Sequence, residues 1–182
     1  MNKKIAVVYK SATGFTKYYA EIISEEIGAE LIDFMSCSKN KLRNLTSDYD
    51  LIIYGSRLHA GFIDGLKKAK SFFRRDGKFM VFVTGAMPNA EAEKDNILER
   101  MWKNNFTTEE LENIPHFYFQ SGLCYEKMKL GDRLMMKAFR WMLKNKKDKT
   151  TSDRAYEKAV ASSYDISSKK FIEPLTGYLK TP

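Results

Sequence analysis

Three hydroxyl side chains and a glycine lie together in the stretch Ser11-Ala12-Thr13-Gly14-Phe15-Thr16. The apolar run 5–9 before this stretch predicts a buried β-strand, and the apolar spacing of 17–27 after it predicts a helix. In a tight turn between a strand and a helix, backbone N–H groups and hydroxyls can bind one anion together. The stretch therefore predicts a phosphate-binding turn. An ordinary helix cap formed by Thr13 or Thr16 is the alternative.

The type of phosphate follows from what the turn lacks. It contains no lysine, whereas the nucleoside-triphosphate P-loop ends in Gly-Lys-Ser/Thr. A phosphate bound by hydroxyls and amides alone suggests a monoester, such as the phosphate of FMN.

Strand and helix signals alternate along the rest of the chain. The apolar runs predict strands at 4–9, 29–33, 49–54, 79–84 and 115–121. Helices are predicted at 16–27, 62–75, 88–104 and 152–168, with a short helical turn at 107–112 and no clear element in the tail 171–182. This alternation predicts an α/β fold with a parallel sheet and helices on both faces.

Four loops follow the predicted strands at their carboxyl ends, where ligands bind in sheets of this kind. They are 11–16, 56–62, 84–89 and the stretch after Ser121, and each contains a glycine: Gly14, Gly61, Gly85 and Gly122. Glycine allows a close approach of the backbone to a ring or a phosphate. We therefore expect these loops to form one binding site.

Composition limits the class of protein. The 182 residues are 43% hydrophobic, which is typical of a globular domain, and they contain no apolar run long enough to span a membrane. The first strand begins too early for a signal peptide to precede it. Cys37 and Cys124 have no metal-ligand spacing and the two histidines lie far apart. We therefore expect a reduced, cytoplasmic setting and no metal.

The net charge of +8 is concentrated in one segment. Residues 125–150 hold nine basic and three acidic side chains, and so six of the eight net charges. Helical spacing places a basic stripe beside bulky apolar residues; the stripe is Arg133, Lys137, Arg140, Lys144 and Lys147. This pattern fits an interfacial membrane helix or a packed helix with a solvated basic face. No nucleic-acid recognition motif accompanies the charge, so we expect no nucleic-acid partner.

The turn at 11–16 resembles the Thr/Ser-x-Thr-Gly-x-Thr loop that binds the FMN phosphate in the flavodoxin-like family. The strand and loop Asp50-Leu51-Ile52-Ile53-Tyr54-Gly55-Ser56 also fit this family. The resemblance covers residues 3–122 and the last predicted helix. It implies a doubly wound five-stranded parallel sheet of order 2-1-3-4-5 and FMN as a non-covalent cofactor. We expect one domain over 1–182, with a basic helical insertion at 123–150 and a tail at 171–182.

A second resemblance concerns the insertion. The stretches 121–125 and 131–137 are similar to the menaquinone-dependent protoporphyrinogen oxidases, which are flavodoxin-like proteins with a long insertion after the last strand. This resemblance implies an FMN-dependent oxidoreductase of haem biosynthesis. It would transfer electrons from a reduced small-molecule or protein donor to a quinone, and residues 127–149 would contact the quinone or a membrane surface. We therefore expect a cytoplasmic protein peripheral to the inner face of the membrane. A soluble flavodoxin electron carrier and a flavin-free binding domain remain the alternatives.

The expected cofactor contacts follow from the loops and from these resemblances. We expect the flavin ring between 56–62 and 84–89, with its edge near 122–125. No side chain is marked as a catalytic acid or base. The residues expected to bind the cofactor are Ser11, Ala12, Thr13, Gly14, Phe15, Thr16, Ser56, Arg57, Leu58, His59, Ala60, Gly61, Thr84, Gly85, Ala86, Met87, Gly122 and Tyr125.

Overall fold

The computed structural model describes residues 3–73, 78–87 and 96–180. The chain divides into two compact units. The sheet unit is Met1–Ser121 with Ser167–Pro182, and the insertion unit is Gly122–Ile166. Within the described ranges, every helix is too short or too polar to cross a bilayer.

The described residues of the sheet unit form six strands. They are β1 (Ile5–Lys10), β2 (Glu30–Asp33), β3 (Leu51–His59), β4 (Phe62–Ile63), β5 (Phe79–Gly85) and β6 (His116–Gln120). Five of them form a parallel sheet of order β2-β1-β3-β5-β6, and β4 pairs antiparallel with the end of β3. Without the short β4, this is the predicted order 2-1-3-4-5, and the predicted fold class is confirmed.

The third strand is longer than predicted. It continues past Gly55 to His59 and turns back through a hairpin into β4, with His59 opposite Phe62. Ala60 and Gly61 have φ angles of 50° and 83°, and two positive φ values in a two-residue loop suit the right-handed twist of a hairpin. The segment predicted as a loop at 56–62 is therefore a strand end and a tight turn.

The helices, in chain order, are α1 (Phe15–Ile27), α2 (Lys39–Asp48), α3 (Leu66–Phe73), α4 (Ile97–Asn105), α5 (Thr108–Asn113), α6 (Leu130–Asn145), α7 (Thr151–Ala159) and α8 (Glu173–Lys180). In the sheet unit, α1 and α8 pack on one face of the sheet, where Ile23 and Leu175 are fully buried. Helices α2 to α5 pack on the other face, where Leu45, Phe73 and Met101 are buried. Helices therefore cover both faces of the sheet, as the alternating pattern predicted.

Several element predictions were wrong. The helix predicted at 62–75 begins only at Leu66, and the helix predicted at 152–168 ends at Ala159. Of the helix predicted at 88–104, residues 88–95 lie outside the described residues, and α4 covers the rest. Helix α2 was not predicted because it buries few side chains, although Ser38 caps it by accepting from the Lys41 N–H.

The tail also departs from the sequence prediction, because it forms α8. Pro174 and Gly177 lower the intrinsic helix propensity of this segment. Burial of Ile172 and Leu175 against the sheet outweighs that cost, since most helical stability in proteins comes from tertiary packing.

The insertion unit is small. Strand β7 (Gly122–Leu123) pairs antiparallel with β8 (Tyr164–Asp165), and a 3-10 turn at Tyr125–Lys127 leads to α6. The Tyr125 hydroxyl donates to the carbonyl of Val160 at 2.6 Å. Helix α7 begins with a capping box, in which Thr150 and Asp153 bind each other's backbone N–H groups.

Candidate functional site

The carboxyl ends of four strands meet at one edge of the sheet unit. Lys10 of β1 lies opposite Ser56 of β3, and Arg57 of β3 lies opposite Thr84 of β5. Gly85 of β5 lies opposite Gln120 of β6. The predicted phosphate turn follows the end of β1, the hairpin follows β3, and residues 86–87 follow β5. The structure therefore brings three of the four predicted loops to the same edge.

The predicted phosphate turn leaves the start of α1 open. Gly14 is the N-cap residue with a φ of 102°, and among the described residues no side chain caps the helix. The alternative of a cap by Thr13 or Thr16 is therefore wrong. The Ser11 hydroxyl accepts from the Gly14 N–H at 3.2 Å, Thr13 and Phe15 are half-buried, and Ala12 is exposed. The first N–H groups of α1 thus keep the partial positive charge that binds anions.

Thr16 differs from the other hydroxyls of the turn. It is 2% exposed, and its Oγ1 lies 2.8 Å from the Oγ1 of Thr84, which is also 2% exposed. This hydrogen bond ties the first turn of α1 to the end of β5. Thr16 therefore has a structural role, and its contact with a phosphate stays a prediction.

The second predicted loop contributes the end of β3 and the hairpin. Ser56 is fully buried and its hydroxyl donates to the Lys10 carbonyl at 3.3 Å. Leu58, His59 and Gly61 are half-buried, and Ala60 is exposed. The residues with surface available to a ligand are therefore those of the hairpin.

A cluster of charges at this edge joins Arg57, which the sequence analysis expected at the site, with Lys10 and Asp64, which it missed. The Lys10 ammonium lies 2.6 Å from a carboxylate oxygen of Asp64, and the Arg57 Nε lies 3.7 Å from the other. The Tyr54 hydroxyl donates to the Asp64 carbonyl at 2.8 Å, and burial raises the pKa of Tyr54, so this phenol stays neutral. Lys10 and Arg57 therefore both lie within ion-pair distance of Asp64. The sequence signals for this cluster are Arg57, in the predicted loop 56–62, and Lys10, which directly follows the predicted first strand.

Hydrogen bonds from Tyr118 and Ser121 hold the third predicted loop in place. The Tyr118 hydroxyl donates to the Met87 carbonyl at 2.8 Å. The Ser121 hydroxyl donates to the Gly85 carbonyl at 3.0 Å. A Cβ on Gly85 would lie 2.5 Å from the Tyr118 hydroxyl, so this glycine is explained by internal packing. Ala86 and Met87 are half-buried, and residues 88–89 of the predicted loop lie outside the described residues.

Two predicted contact residues belong to the insertion unit. Gly122 lies in β7, where a Cβ would come within 2.0 Å of the Tyr164 carbonyl oxygen. Tyr125 begins the 3-10 turn, and its hydroxyl is bound to Val160. Both residues thus have roles within their own unit, and their contact with a flavin stays a prediction.

The chain belongs to the flavodoxin domain family, whose model matches residues 6–150. This membership agrees with the strand order and supports FMN as the cofactor. No curated protein matches the chain.

Solved structures with a similar fold are distant in sequence. A WrbA-like flavodoxin from Agrobacterium tumefaciens is 18% identical, covers 87% of this chain and 95% of its own, and has a TM-score of 0.42. The rubredoxin oxygen:oxidoreductase of Desulfovibrio gigas is 16% identical, covers 87% of this chain and 37% of its own, and has a TM-score of 0.44. A flavoprotein from Lactobacillus acidophilus NCFM, solved in complex with FMN, is 19% identical. It covers 65% of this chain and 92% of its own, and has a TM-score of 0.36.

Proposed function

We propose that this protein is an FMN-dependent oxidoreductase that oxidises a reduced substrate and delivers the electrons to a quinone. The observation that carries the proposal is the uncapped start of α1, which follows a hydroxyl-rich turn at the carboxyl end of β1. A ligand that fits there has a phosphate and a flat ring system extending along the edge of the sheet. FMN has both.

The residues of the turn fit a phosphate monoester. Backbone N–H groups at the start of α1 would bind its oxygens, because no described side chain caps them. The half-buried hydroxyl of Thr13 would donate a further hydrogen bond. Ser11 holds the turn in shape by accepting from the Gly14 N–H. Binding would therefore satisfy groups that the turn itself leaves open.

The charge at this edge suits an anionic ligand. Lys10 and Arg57 both lie beside the carboxylate of Asp64 at this edge. Arginine stays charged at all physiological pH values, so Arg57 would stabilise negative charge on a ligand at the end of β3. Its side chain is 20% exposed.

The half-buried hairpin and residues 86–87 would orient the ring. Leu58 and Met87 offer apolar surface, and His59 can donate a hydrogen bond. When bound, FMN supplies the redox chemistry at its ring, and the protein supplies position and electrostatics. We therefore assign no side chain as a general acid or base.

The substrate and acceptor are inferred from the insertion. Its sequence at 121–125 and 131–137 resembles the menaquinone-dependent protoporphyrinogen oxidases, and this resemblance supports a porphyrinogen substrate with a quinone acceptor. The flavodoxin-family fold supports the flavin part of the proposal without specifying the substrate.

The test is a reconstitution experiment. The purified chain is mixed with FMN, freed of unbound flavin and examined for flavin absorption bands. It is then given protoporphyrinogen and a soluble quinone under anaerobic conditions, and porphyrin fluorescence is followed. We expect porphyrin formation that depends on both FMN and quinone. Bound flavin without porphyrin formation would favour the electron-carrier alternative, and absence of bound flavin would favour the flavin-free binding domain.

A further inference from the structure

Helix α6 exposes an apolar surface. Leu130, Leu134 and Trp141 are 76%, 65% and 69% exposed, and Met142 is 54% exposed. Leu130, Leu134 and Trp141 follow a helical i, i+4, i+11 spacing and therefore share one face of the helix. Six of the eleven large apolar side chains exposed in the described part of the chain lie on this helix. This concentration exceeds the scattered apolar exposure that is ordinary on a protein surface.

Helix α6 packs within its own unit through a side other than the exposed apolar face. Of its sixteen described residues, Leu143 alone is buried, and Met136 and Asp132 are half-buried on the same side. Helix α6 packs with α7 there. The exposed apolar face is therefore available to a partner.

A stripe of cations borders the apolar face. Arg133, Lys137, Arg140 and Lys144 follow i, i+4, i+7 and i+11 spacing along α6. The Arg133 Nε donates to the Tyr125 carbonyl at 2.7 Å, and this hydrogen bond holds the Arg133 side chain in place. Lys137 and Lys144 are exposed, and no described acidic side chain forms an ion pair with them. Their charges are available to anionic groups of a partner.

The length and composition of α6 suit an interfacial position. Sixteen residues at about 1.5 Å per residue give a helix about 24 Å long, and this helix is not long and apolar enough to span a bilayer. Interfacial helices place Trp, Phe and Leu at the acyl boundary and Lys or Arg among the headgroups. Long basic side chains can cover apolar surface while their charges reach the phosphates. An anionic lipid surface therefore offers acyl chains to the apolar face of α6 and charged headgroups to its basic stripe.

We propose that α6 binds this protein to the surface of an anionic lipid bilayer. The helix lies in the plane of the interface, with Leu130, Leu134 and Trp141 in contact with the acyl chains. Lys137 and Lys144 contact the anionic headgroups beside them. This binding is independent of FMN, and so it goes beyond the function proposed above.

The test is co-sedimentation of the full chain with vesicles, with and without added FMN. One set of vesicles is phosphatidylcholine alone, and the other contains about one third phosphatidylglycerol. We expect binding to the anionic vesicles, weakening from low to high salt because exposed charges are screened. The fluorescence of Trp141 should shift to the blue on binding. Binding that is absent, or equal on both kinds of vesicle at all salt concentrations, overturns the proposal.

Two pairs of variants separate the apolar and basic contributions. Leu134→Ser with Trp141→Ser removes apolar contact, and Lys137→Gln with Lys144→Gln removes two charges. Since each basic residue near an anionic surface contributes about 1 kcal/mol, the second pair should weaken binding about 30-fold. We expect the first pair to weaken it at least about tenfold.

Matched controls come from the sheet unit. Tyr178→Ser changes an exposed aromatic side chain, and Lys39→Gln with Arg43→Gln removes two exposed charges. All the substituted side chains are exposed, so the variants should fold, and circular dichroism checks this. If the controls weaken binding as much as the α6 variants, α6 is not the docking element. Self-association through α6, measured by sedimentation velocity and unaffected by vesicles, would instead identify a second copy of the chain as the partner.

Discussion

Helices α1 and α6 have similar apolar spacing but opposite environments. In α1, Tyr19, Ala20 and Ile23 are fully buried against the sheet. In α6, Leu134 and Trp141 are more than 60% exposed. Apolar spacing predicted α1 and the basic stripe predicted α6, because periodicity reports which side chains share a face. It does not report what that face contacts. The first face is part of a folding core, and we infer that the second is a binding surface.

The largest expected difference between the two helices is in stability. Ile23→Ala removes a fully buried side chain and should lower the free energy of unfolding by about 2–5 kcal/mol. Trp141→Ala removes a larger side chain that is 69% exposed, so it should change the free energy of unfolding by less than about 0.5 kcal/mol. Urea denaturation followed by circular dichroism measures both.

The comparison between α1 and α6 fails if the two variants behave alike. A loss of more than about 2 kcal/mol for Trp141→Ala would mean that α6 buries this residue in solution, and the docking surface would then not exist. Leu143→Ala is a positive control on the same helix, because Leu143 is 4% exposed and should be sensitive to truncation.

A smaller effect is expected from the buried hydroxyl pair. Thr16→Val preserves the shape of the side chain but leaves the Thr84 hydroxyl buried without this partner. The expected cost is about 1–3 kcal/mol of unfolding free energy. Replacing both threonines by valine should cost less than the sum of the single changes, since neither hydroxyl is then left buried alone. Additive losses would show that the hydrogen bond does not form. Thr108→Val, at an exposed position on α5, is the control.

The smallest expected effect concerns the capping pair Thr150 and Asp153 in the insertion unit. Hydrogen bonds from Lys146 and from Thr150 lower the pKa of Asp153 to about 2. Because the carboxylate form is favoured in the folded state, the α7 cap should be complete above about pH 4 and weaken as the pH falls towards 2. A carboxyl titration followed by NMR should give this low pKa, and Thr150→Val should raise it. An ordinary pKa near 4 in the parent protein would show that the capping box is open.

The sequence was sufficient for the sheet because most of the parallel strands contain a continuous apolar run between turn residues. It was insufficient for segments whose structure depends on distant packing. Helix α8 contains Pro174 and Gly177, and only its burial against the sheet stabilises it. The end of β3 is polar enough to resemble a loop, yet it pairs with β4 across the turn at Ala60 and Gly61.

The candidate site was predictable in position but not in detail. The order of strands and turns was enough to place 11–16, the hairpin and residues 86–87 at one edge. The Thr16–Thr84 hydrogen bond and the Lys10–Asp64 ion pair join residues 68 and 54 positions apart, and no local pattern signals them. The glycines were interpreted as space for a ligand, but Gly85 and Gly122 are explained by contacts with Tyr118 and Tyr164.

The central claim is that the turn before α1 binds the phosphate of FMN, and its most direct test compares FMN with riboflavin, which lacks the phosphate. Affinities for both are measured by quenching of flavin fluorescence in the parent protein, in Thr13→Ala and in the control Thr108→Ala. A hydrogen bond to a charged group contributes about 1.5–3 kcal/mol. The parent should therefore bind FMN at least about tenfold more tightly than riboflavin. Thr13→Ala should reduce this preference, and Thr108→Ala should retain it. Equal affinity of the parent protein for the two flavins would contradict the claim.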